Sequence, residues 1–116
     1  MGADFLSAAY PNQRIYERCG FKCAYCGIDG SKSFETFWHA NFNVDHIKPL
    51  SKGGLDTDEN KVLACRACNL YKGVTDCNSI AEAIEVVLRK KAQAEAWYKK
   101  HVLKLESVPK RGTVED

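Results

Sequence analysis

Six cysteines are the first residues of this sequence whose types and spacing could do chemistry. Four of them form two C-x₂-C pairs, Cys23 with Cys26 and Cys65 with Cys68. Four thiolates surround zinc tetrahedrally, and the two-residue spacing lets one turn supply two of them. Because 38 residues separate the pairs, more than the ~15–20 of a usual zinc ribbon, a folded insertion must lie between them. Buried thiols or disulfides are the alternative, but paired cysteines in a reduced compartment favour structural Zn²⁺.

The other cysteines and two of the histidines carry weaker signals. Cys19 and Cys77 belong to neither pair, and we expect both to be small buried hydrophobic residues. His39 is expected to be a partly buried, ordinary histidine. His101 lies near the end of a predicted helix, where a histidine interacts with the helix dipole more often than with a metal.

A second chemical pattern lies between the cysteine pairs, in the run VDHIKPL. Neighbouring residues of a strand point to opposite faces, so Asp45 and His46 could straddle one phosphate. Cleaving a phosphodiester by in-line displacement needs a water on one side of phosphorus and charge stabilisation at the departing oxygen. Alone, such a pair is more often an ordinary surface pair, and its surroundings must decide.

Those surroundings resemble the HNH nucleases over residues 23–73. An Asp-His pair, a Pro and Gly-Gly turn, an Asn 14 residues after the His, and C-x₂-C-N-x₂-K occur in order in DHIKPLSKGG, EN and KVLACRACNLYKG. The resemblance implies a ββα-metal motif, a hairpin and a helix around one divalent ion, that hydrolyses DNA. It implies that Asp45 and Asn69 hold the ion. It also implies that His46 is the general base and that Asn60 fixes the backbone of His46.

The expected catalytic ion follows from the ligand atoms. A carboxylate from Asp45 and an amide carbonyl from Asn69 suit Mg²⁺ or Mn²⁺. The family name refers to His, Asn and His, whereas this chain has Asp45 before the base and Asn69 at the last position. That difference makes Mg²⁺ more plausible than a nitrogen-favouring metal. Because Asn69 directly follows Cys68, zinc is expected to be structural and the second metal catalytic.

Short elements must position these residues. The pattern predicts a helix over 12–20 ending at Gly20, a strand over 44–50, a polar turn over 51–60, a strand over 61–65 and a helix over 66–73. Residues 28–43 are open between strand and loop, with four aromatic residues expected in the core: Phe34, Phe37, Trp38 and Phe42. The predicted fold is a small α+β fold, a ββα-metal (HNH) core stapled by a four-cysteine zinc site, with a helix on each side.

The C-terminal helix is the longest predicted element. Ser79 with Glu82 forms a capping box, and the helix is predicted over about 78–107. Its predicted apolar stripe is Ile80, Ile84, Val87, Ala94, Tyr98, Val102 and Leu105. The basic residues largely opposite this stripe are candidate DNA contacts: Arg89, Lys90, Lys100 and Lys104. Lys72, in the preceding predicted helix, is a further candidate that could contact phosphate or simply be solvated. At ~40 Å the helix exceeds what a small core needs, so it could also mediate a dimer.

Charge and composition indicate the kind of partner, the number of domains and the location of the protein. The formal charge is +2, but residues 86–111 hold eight Lys or Arg against two Glu, a local +6. This segment favours a polyanion partner, with a solvated helix face as the alternative. The length fits one domain, divided into an N-terminal segment (1–22), a core (23–77), the long helix (78–107) and a tail (108–116). No run approaches the ~18 apolar residues of a membrane span, and the start lacks secretory features, so a cytoplasmic location is expected.

Three functions fit these patterns. The first is a metal-dependent DNA endonuclease, and the second is a catalytically inactive, zinc-stabilised nucleic-acid-binding module. The third is a zinc-built protein-interaction domain that uses the long helix. The combination of Asp45, His46, Asn60 and Asn69 favours the first, because a binding module has no use for a general base beside oxygen ligands.

Overall fold

The computed structural model of the chain describes residues 12–104. Within that range it contains four α-helices and one two-stranded sheet. In chain order they are α1 (Gln13–Arg18), α2 (Phe34–Ala40), β1 (Asn43–His46), β2 (Lys61–Ala64), α3 (Arg66–Lys72) and α4 (Ile80–His101). The predicted small α+β fold with a long C-terminal helix is confirmed.

The centre of the fold is an antiparallel hairpin followed directly by a helix. Strand β1 pairs with β2 so that Asp45 lies opposite Val62 and His46 opposite Lys61. Strand β2 is buried along most of its length, and α3 begins immediately after it. Strand β1 ends at His46, earlier than predicted, because the chain turns at Pro49, which has no backbone N–H to donate to a ladder.

The connection between the strands is a tight, tethered loop. Gly53 has a φ of 92°, a conformation that favours glycine. A side chain at Gly54 would collide with the backbone carbonyl of Lys48, so this position has no room for a Cβ. Helix α1 holds the far side of the loop, since Arg14 donates two hydrogen bonds of 2.8 and 2.9 Å to the carboxylate of Asp58.

Helix α2 occupies the stretch that the sequence left open between strand and loop. Its N-cap is Ser33, and it directs Phe37 toward the core, where Phe42 is buried. The prediction that Phe34 and Trp38 supply core is wrong: they are 69% and 62% exposed. They lie four residues apart on the outer face of α2, with ring centroids 5.8 Å apart.

Helix α4 begins as predicted but buries a different set of residues. The hydroxyl of Ser79 accepts a hydrogen bond of 3.1 Å from the backbone of Glu82, which confirms the cap. The buried residues are Ala83, Val86 and Val87, on the face that contacts α3. Of the predicted stripe, only Val87 is buried and Ile84 is partly buried. Leu105 lies outside the described residues. The other four members of the stripe are exposed: Ile80, Ala94, Tyr98 and Val102.

The stripe fails because the core covers only the first half of α4. Every residue from 91 to 102 is exposed, and the α-helix ends at His101 rather than near 107. At 22 residues the helix is about 33 Å long, so its second half extends past the hairpin and α3. None of the helices formed by residues 12–104 has the length and apolarity needed to cross a membrane.

The remaining cysteines and histidines differ in environment. Cys77 is fully buried as predicted, whereas Cys19 is partly buried and its sulfur accepts the N–H of Leu63 at 3.4 Å. His39 is exposed on α2, so the expectation of partial burial is wrong. His101 lies in the last turn of α4, where its ring contacts Trp97 at a centroid distance of 4.9 Å.

Candidate active site

The two cysteine pairs meet in one cluster. The sulfur atoms of the first knuckle (Cys23 and Cys26) and the second knuckle (Cys65 and Cys68) all lie within 4.8 Å of one another. The Cys26 and Cys65 sulfurs are 3.7 Å apart. Tetrahedral zinc with Zn–S bonds of ~2.3 Å separates its sulfur ligands by about 3.8 Å, so the donors fit the ion. The predicted ligand set is compatible with structural zinc.

Backbone N–H groups shape each knuckle. Tyr25 and Cys26 each direct an N–H at the sulfur of Cys23 at 3.4 Å, and Cys68 does the same to Cys65 at 3.5 Å. Burial would raise the pKa of Cys23, but the surrounding backbone N–H groups bring it below its usual value. Burial raises the pKa of Cys26 to about 11 and that of Cys68 further. Four thiolates this close therefore need a cation to stay ionised together.

Three of the predicted catalytic residues share one open cleft of about 420 Å³. Asp45 and His46 reach it from the end of β1, and Asn69 reaches it from the first turn of α3 after the second knuckle. The side-chain amide of Asn69 makes no hydrogen bond to any residue between 12 and 104, so its carbonyl oxygen is available to a ligand. The hairpin and the helix thus bring together the two proposed metal ligands and the proposed base.

The two carboxylate oxygens of Asp45 differ in their contacts. Its Oδ2 accepts a hydrogen bond of 2.6 Å from the hydroxyl of Tyr25 and lies 3.1 Å from the ammonium of Lys72. Burial, and then the carboxylate itself, raise the pKa of Tyr25, so this phenol remains a donor. Oδ1 of Asp45 has no hydrogen-bond or ion-pair partner among the described residues. A carboxylate held in this way can offer one oxygen to the cleft.

His46 has one of its two ring nitrogens engaged. Its Nε2 lies 2.8 Å from Oδ1 of Asp56, which is also 3.4 Å from the ammonium of Lys61. The hydrogen bond with His46, followed by the contact with Lys61, holds the pKa of Asp56 below its usual value, so Asp56 is an ionised acceptor. When Nε2 carries the proton, Nδ1 is left as the acceptor of a neutral imidazole.

Asn60 holds the loop rather than the backbone of His46. Its Oδ1 accepts from the N–H of Lys48 at 2.9 Å, and its amide donates to the carbonyls of Lys48 and Leu55 at 2.9 and 2.8 Å. The expected backbone contact with His46 therefore falls two residues further along the chain. The carbonyl of His46 instead accepts from the ammonium of Lys72 at 2.9 Å.

Lys72 is not a DNA contact, and that prediction is wrong. Its side chain is 0% exposed, and its ammonium lies between the carbonyl of His46 and the carboxylate of Asp45. The last turn of α3 packs beneath the end of β1, which encloses the lysine. Lys72 therefore connects α3 to both predicted catalytic residues of the strand.

The candidate DNA contacts on α4 divide into two groups. Arg89, Lys100 and Lys104 are exposed, as a surface that binds phosphates requires. Lys90 is different, because its ammonium donates to the hydroxyl of Thr75 at 3.0 Å. It follows Val86 and Val87 at helical spacing, on the face turned toward the core, so the prediction that it lies on the outer face is wrong.

Two site residues escaped the sequence analysis. Tyr25 lies inside the first knuckle and contacts Asp45, and Asp56 lies in the loop between the strands and contacts His46. The only signals in the sequence were an aromatic residue between two ligands and an acid in a polar turn. Neither signal identifies the partner.

A cysteine cluster that staples a hairpin and a helix, with an Asp-His pair at the end of the first strand, is the architecture of a ββα-metal nuclease. The HNH endonuclease family model matches residues 23–75, the segment that holds both cysteine pairs and the residues of the cleft. Neither the curated proteins nor the solved structures include a significant match to the chain. The family match supports nuclease-type activity on nucleic acid.

Proposed function

We propose that the chain is a metal-dependent DNA endonuclease that hydrolyses phosphodiester bonds. The observation that carries this proposal is the cleft shared by Asp45, His46 and Asn69. Each of these side chains keeps an atom with a free lone pair that no residue between 12 and 104 engages: Oδ1 of Asp45, Nδ1 of His46 and the carbonyl oxygen of Asn69. A base and two oxygen ligands in one open cleft suit a phosphodiester better than they suit a surface with a purely structural role.

The oxygen donors fit one Mg²⁺ or Mn²⁺ ion. These ions accept one or two protein ligands and keep water or substrate phosphate in their other positions. Asp45 and Asn69 would supply those protein ligands. When bound, the cation supplies positive charge that stabilises the phosphate as its charge shifts toward the departing oxygen.

His46 would be the general base. With Nε2 anchored on Asp56, Nδ1 accepts a proton from the attacking water as its oxygen forms a bond to phosphorus and the bond to the leaving oxygen breaks. The leaving oxygen then takes up a proton from solvent. The carboxylate of Asp56 stabilises the imidazolium that forms, and Asn60 keeps the loop that carries Asp56 against β1.

The other parts of the chain would serve binding and stability. The four-cysteine cluster would hold structural zinc, and its need for reduced thiols supports a cytoplasmic location. The exposed residues Arg89, Lys100 and Lys104 would contact DNA phosphates away from the cleft. Their separation along α4 suits a duplex that extends beyond the cleavage site.

One observation favours the alternative, an inactive nucleic-acid-binding module. The ammonium of Lys72 lies 3.1 Å from Asp45 and offsets the negative charge that a divalent ion would need. Two features favour the active form. Oδ1 of Asp45 is left for a cation, and a bound DNA phosphate would add negative charge beside it. Both functions predict DNA binding, so only cleavage separates them.

The decisive test is plasmid cleavage by zinc-loaded protein with Mg²⁺ or Mn²⁺. Wild-type protein should cut, EDTA should stop it, and added Mg²⁺ should restore it, which separates the catalytic ion from zinc. His46→Ala should lower the rate by ~10²–10⁴-fold, the usual contribution of a general base. His39→Ala changes an exposed histidine on α2 and should cut normally. Folded wild-type protein that binds plasmid without cutting it would favour the binding module.

A further inference from the structure

Tyr25 links the four-cysteine cluster to the cleft. It is the third residue of the first knuckle, is 5% exposed, and its hydroxyl donates to Oδ2 of Asp45 at 2.6 Å. We propose that Tyr25 is a positioning residue that fixes the Asp45 carboxylate so that Oδ1 alone is offered to the catalytic cation. The proposal rests on the proposed function, because it assumes that Asp45 is a metal ligand.

The position of the phenol is set by the knuckle. The N–H of Tyr25 bonds to the sulfur of Cys23 at 3.4 Å, and the N–H of Ala24 bonds to the carbonyl of Leu63 at 2.8 Å. These contacts hold the backbone of Tyr25 against β2, the partner of the strand that carries Asp45. The hydroxyl therefore reaches Asp45 from a backbone that the cysteine ligands and the sheet both restrain.

Lys72 cannot orient Asp45 alone. Its ammonium also serves the carbonyl of His46, and an ammonium is a rotatable point charge with three equivalent donors. A phenol has one donor in the plane of a buried ring, so it selects one oxygen and one direction. Without it, the carboxylate could turn about its Cβ–Cγ bond and exchange Oδ1 with Oδ2. Hydrogen-bond partners of metal ligands typically contribute 10–100-fold in metal affinity.

Substituting Tyr25→Phe tests this, because it keeps the buried ring and removes only the hydroxyl. The direct measurement is Mn²⁺ binding to zinc-loaded protein, followed by the electron paramagnetic resonance signal of free Mn²⁺. We expect ~10–100-fold weaker binding with unchanged zinc content. The matched control is Tyr16→Phe, which also removes a buried phenol hydrogen bond, a contact of 3.1 Å to the carbonyl of Phe42, and should bind Mn²⁺ normally. Wild-type affinity in zinc-loaded Tyr25→Phe would overturn the proposal.

Asp45→Asn separates this inference from the function on which it rests. If Asp45→Asn and wild-type protein bind Mn²⁺ equally, the proposed metal site fails and the inference falls with it. If Asp45→Asn weakens binding and Tyr25→Phe does not, only the inference fails.

A measurement on the wild-type protein decides the matter if Tyr25→Phe does not fold. With ¹³C-labelled tyrosine, the Cζ resonance of Tyr25 should move when Mg²⁺ is added, because its acceptor then shares a carboxylate with the ion. The resonance of Tyr16 should stay in place. A Tyr25 resonance that does not move at saturating Mg²⁺ would overturn the proposal.

Discussion

Replacing Lys72 with methionine separates its observed role from a role in DNA contact. Methionine keeps most of the apolar stem and removes the ammonium, so packing is largely preserved while two contacts are lost. These are the hydrogen bond of 2.9 Å to the carbonyl of His46 and the ion pair of 3.1 Å with Asp45. If Lys72 is a buried connector, Lys72→Met should destabilise the fold, whereas loss of a surface phosphate contact would leave stability nearly unchanged.

The expected loss of unfolding free energy follows from the two groups that Lys72→Met leaves without an ammonium. Removing one partner of a buried ion pair typically costs ~3–5 kcal/mol, and a buried carbonyl left without a donor costs ~1–3 kcal/mol within that total. Two features place Lys72→Met toward the lower end: the side chain of Asp45 keeps 12% exposure, and Tyr25 still donates to it. We therefore expect a loss of about 3 kcal/mol, against the ~5–15 kcal/mol total of a typical domain.

The assay is urea unfolding of zinc-loaded protein, comparing Lys72→Met with wild type. Lys91→Met is the matched control, because it makes the same change at an exposed position of α4 and should stay within ~0.5 kcal/mol of wild type. The salt dependence of DNA binding by folded Lys72→Met should equal that of wild type. A loss of stability below ~1 kcal/mol, or a slope reduced by about one, would refute the buried-connector role.

Three further predictions test the zinc site, the basic helix and the loop. Cys68→Ser should yield unfolded or insoluble protein, because structural zinc can contribute ~10 kcal/mol or more; soluble, folded, zinc-free protein would contradict this. Substituting Arg89, Lys100 and Lys104 together with Gln should weaken DNA binding and flatten the slope of log K against log salt by roughly one per lost contact; an unchanged slope would mean that this face is only solvated. Gly54→Ala should lower the unfolding midpoint in urea, because its Cβ would collide with the carbonyl of Lys48; an unchanged midpoint would show that the loop adapts freely.

Local spacing explains which features could be predicted from the sequence. Cysteines two residues apart share one turn, and Asn69 next to Cys68 must lie near the cluster whatever surrounds it. The capping residue of α4, Ser79, is likewise a local property, since its hydroxyl bonds three residues ahead. The cysteine cluster and the cap are confirmed, because chain connectivity alone restricts the distances involved, while the role of Asn69 stays a prediction.

The wrong predictions depend on neighbours that are distant in sequence. Which face of α4 is buried depends on how far α3 extends beside it, and α3 covers only the first half. Trp38 lies outward because α2 turns Phe37 inward, and hydrophobic pattern alone did not distinguish the two. A lysine is rarely buried without a partner, so predicting Lys72 on the surface was reasonable until Asp45 and the carbonyl of His46 appeared beside it.

The four-cysteine cluster and the proposed catalytic cleft are built from the same elements, so a change at the cluster also affects the cleft. The first knuckle carries Tyr25, which holds Asp45, and the second knuckle is followed by Asn69 and, one turn later, by Lys72. Loss of zinc would therefore disturb both proposed ligands of the catalytic cation as well as the support of His46. Inactivity of zinc-free protein would not identify His46 as the base. The side chains of the cleft would already be displaced, and cleavage would fail for that reason alone. Only variants that keep their zinc, such as His46→Ala beside His39→Ala, measure the chemistry of the cleft itself.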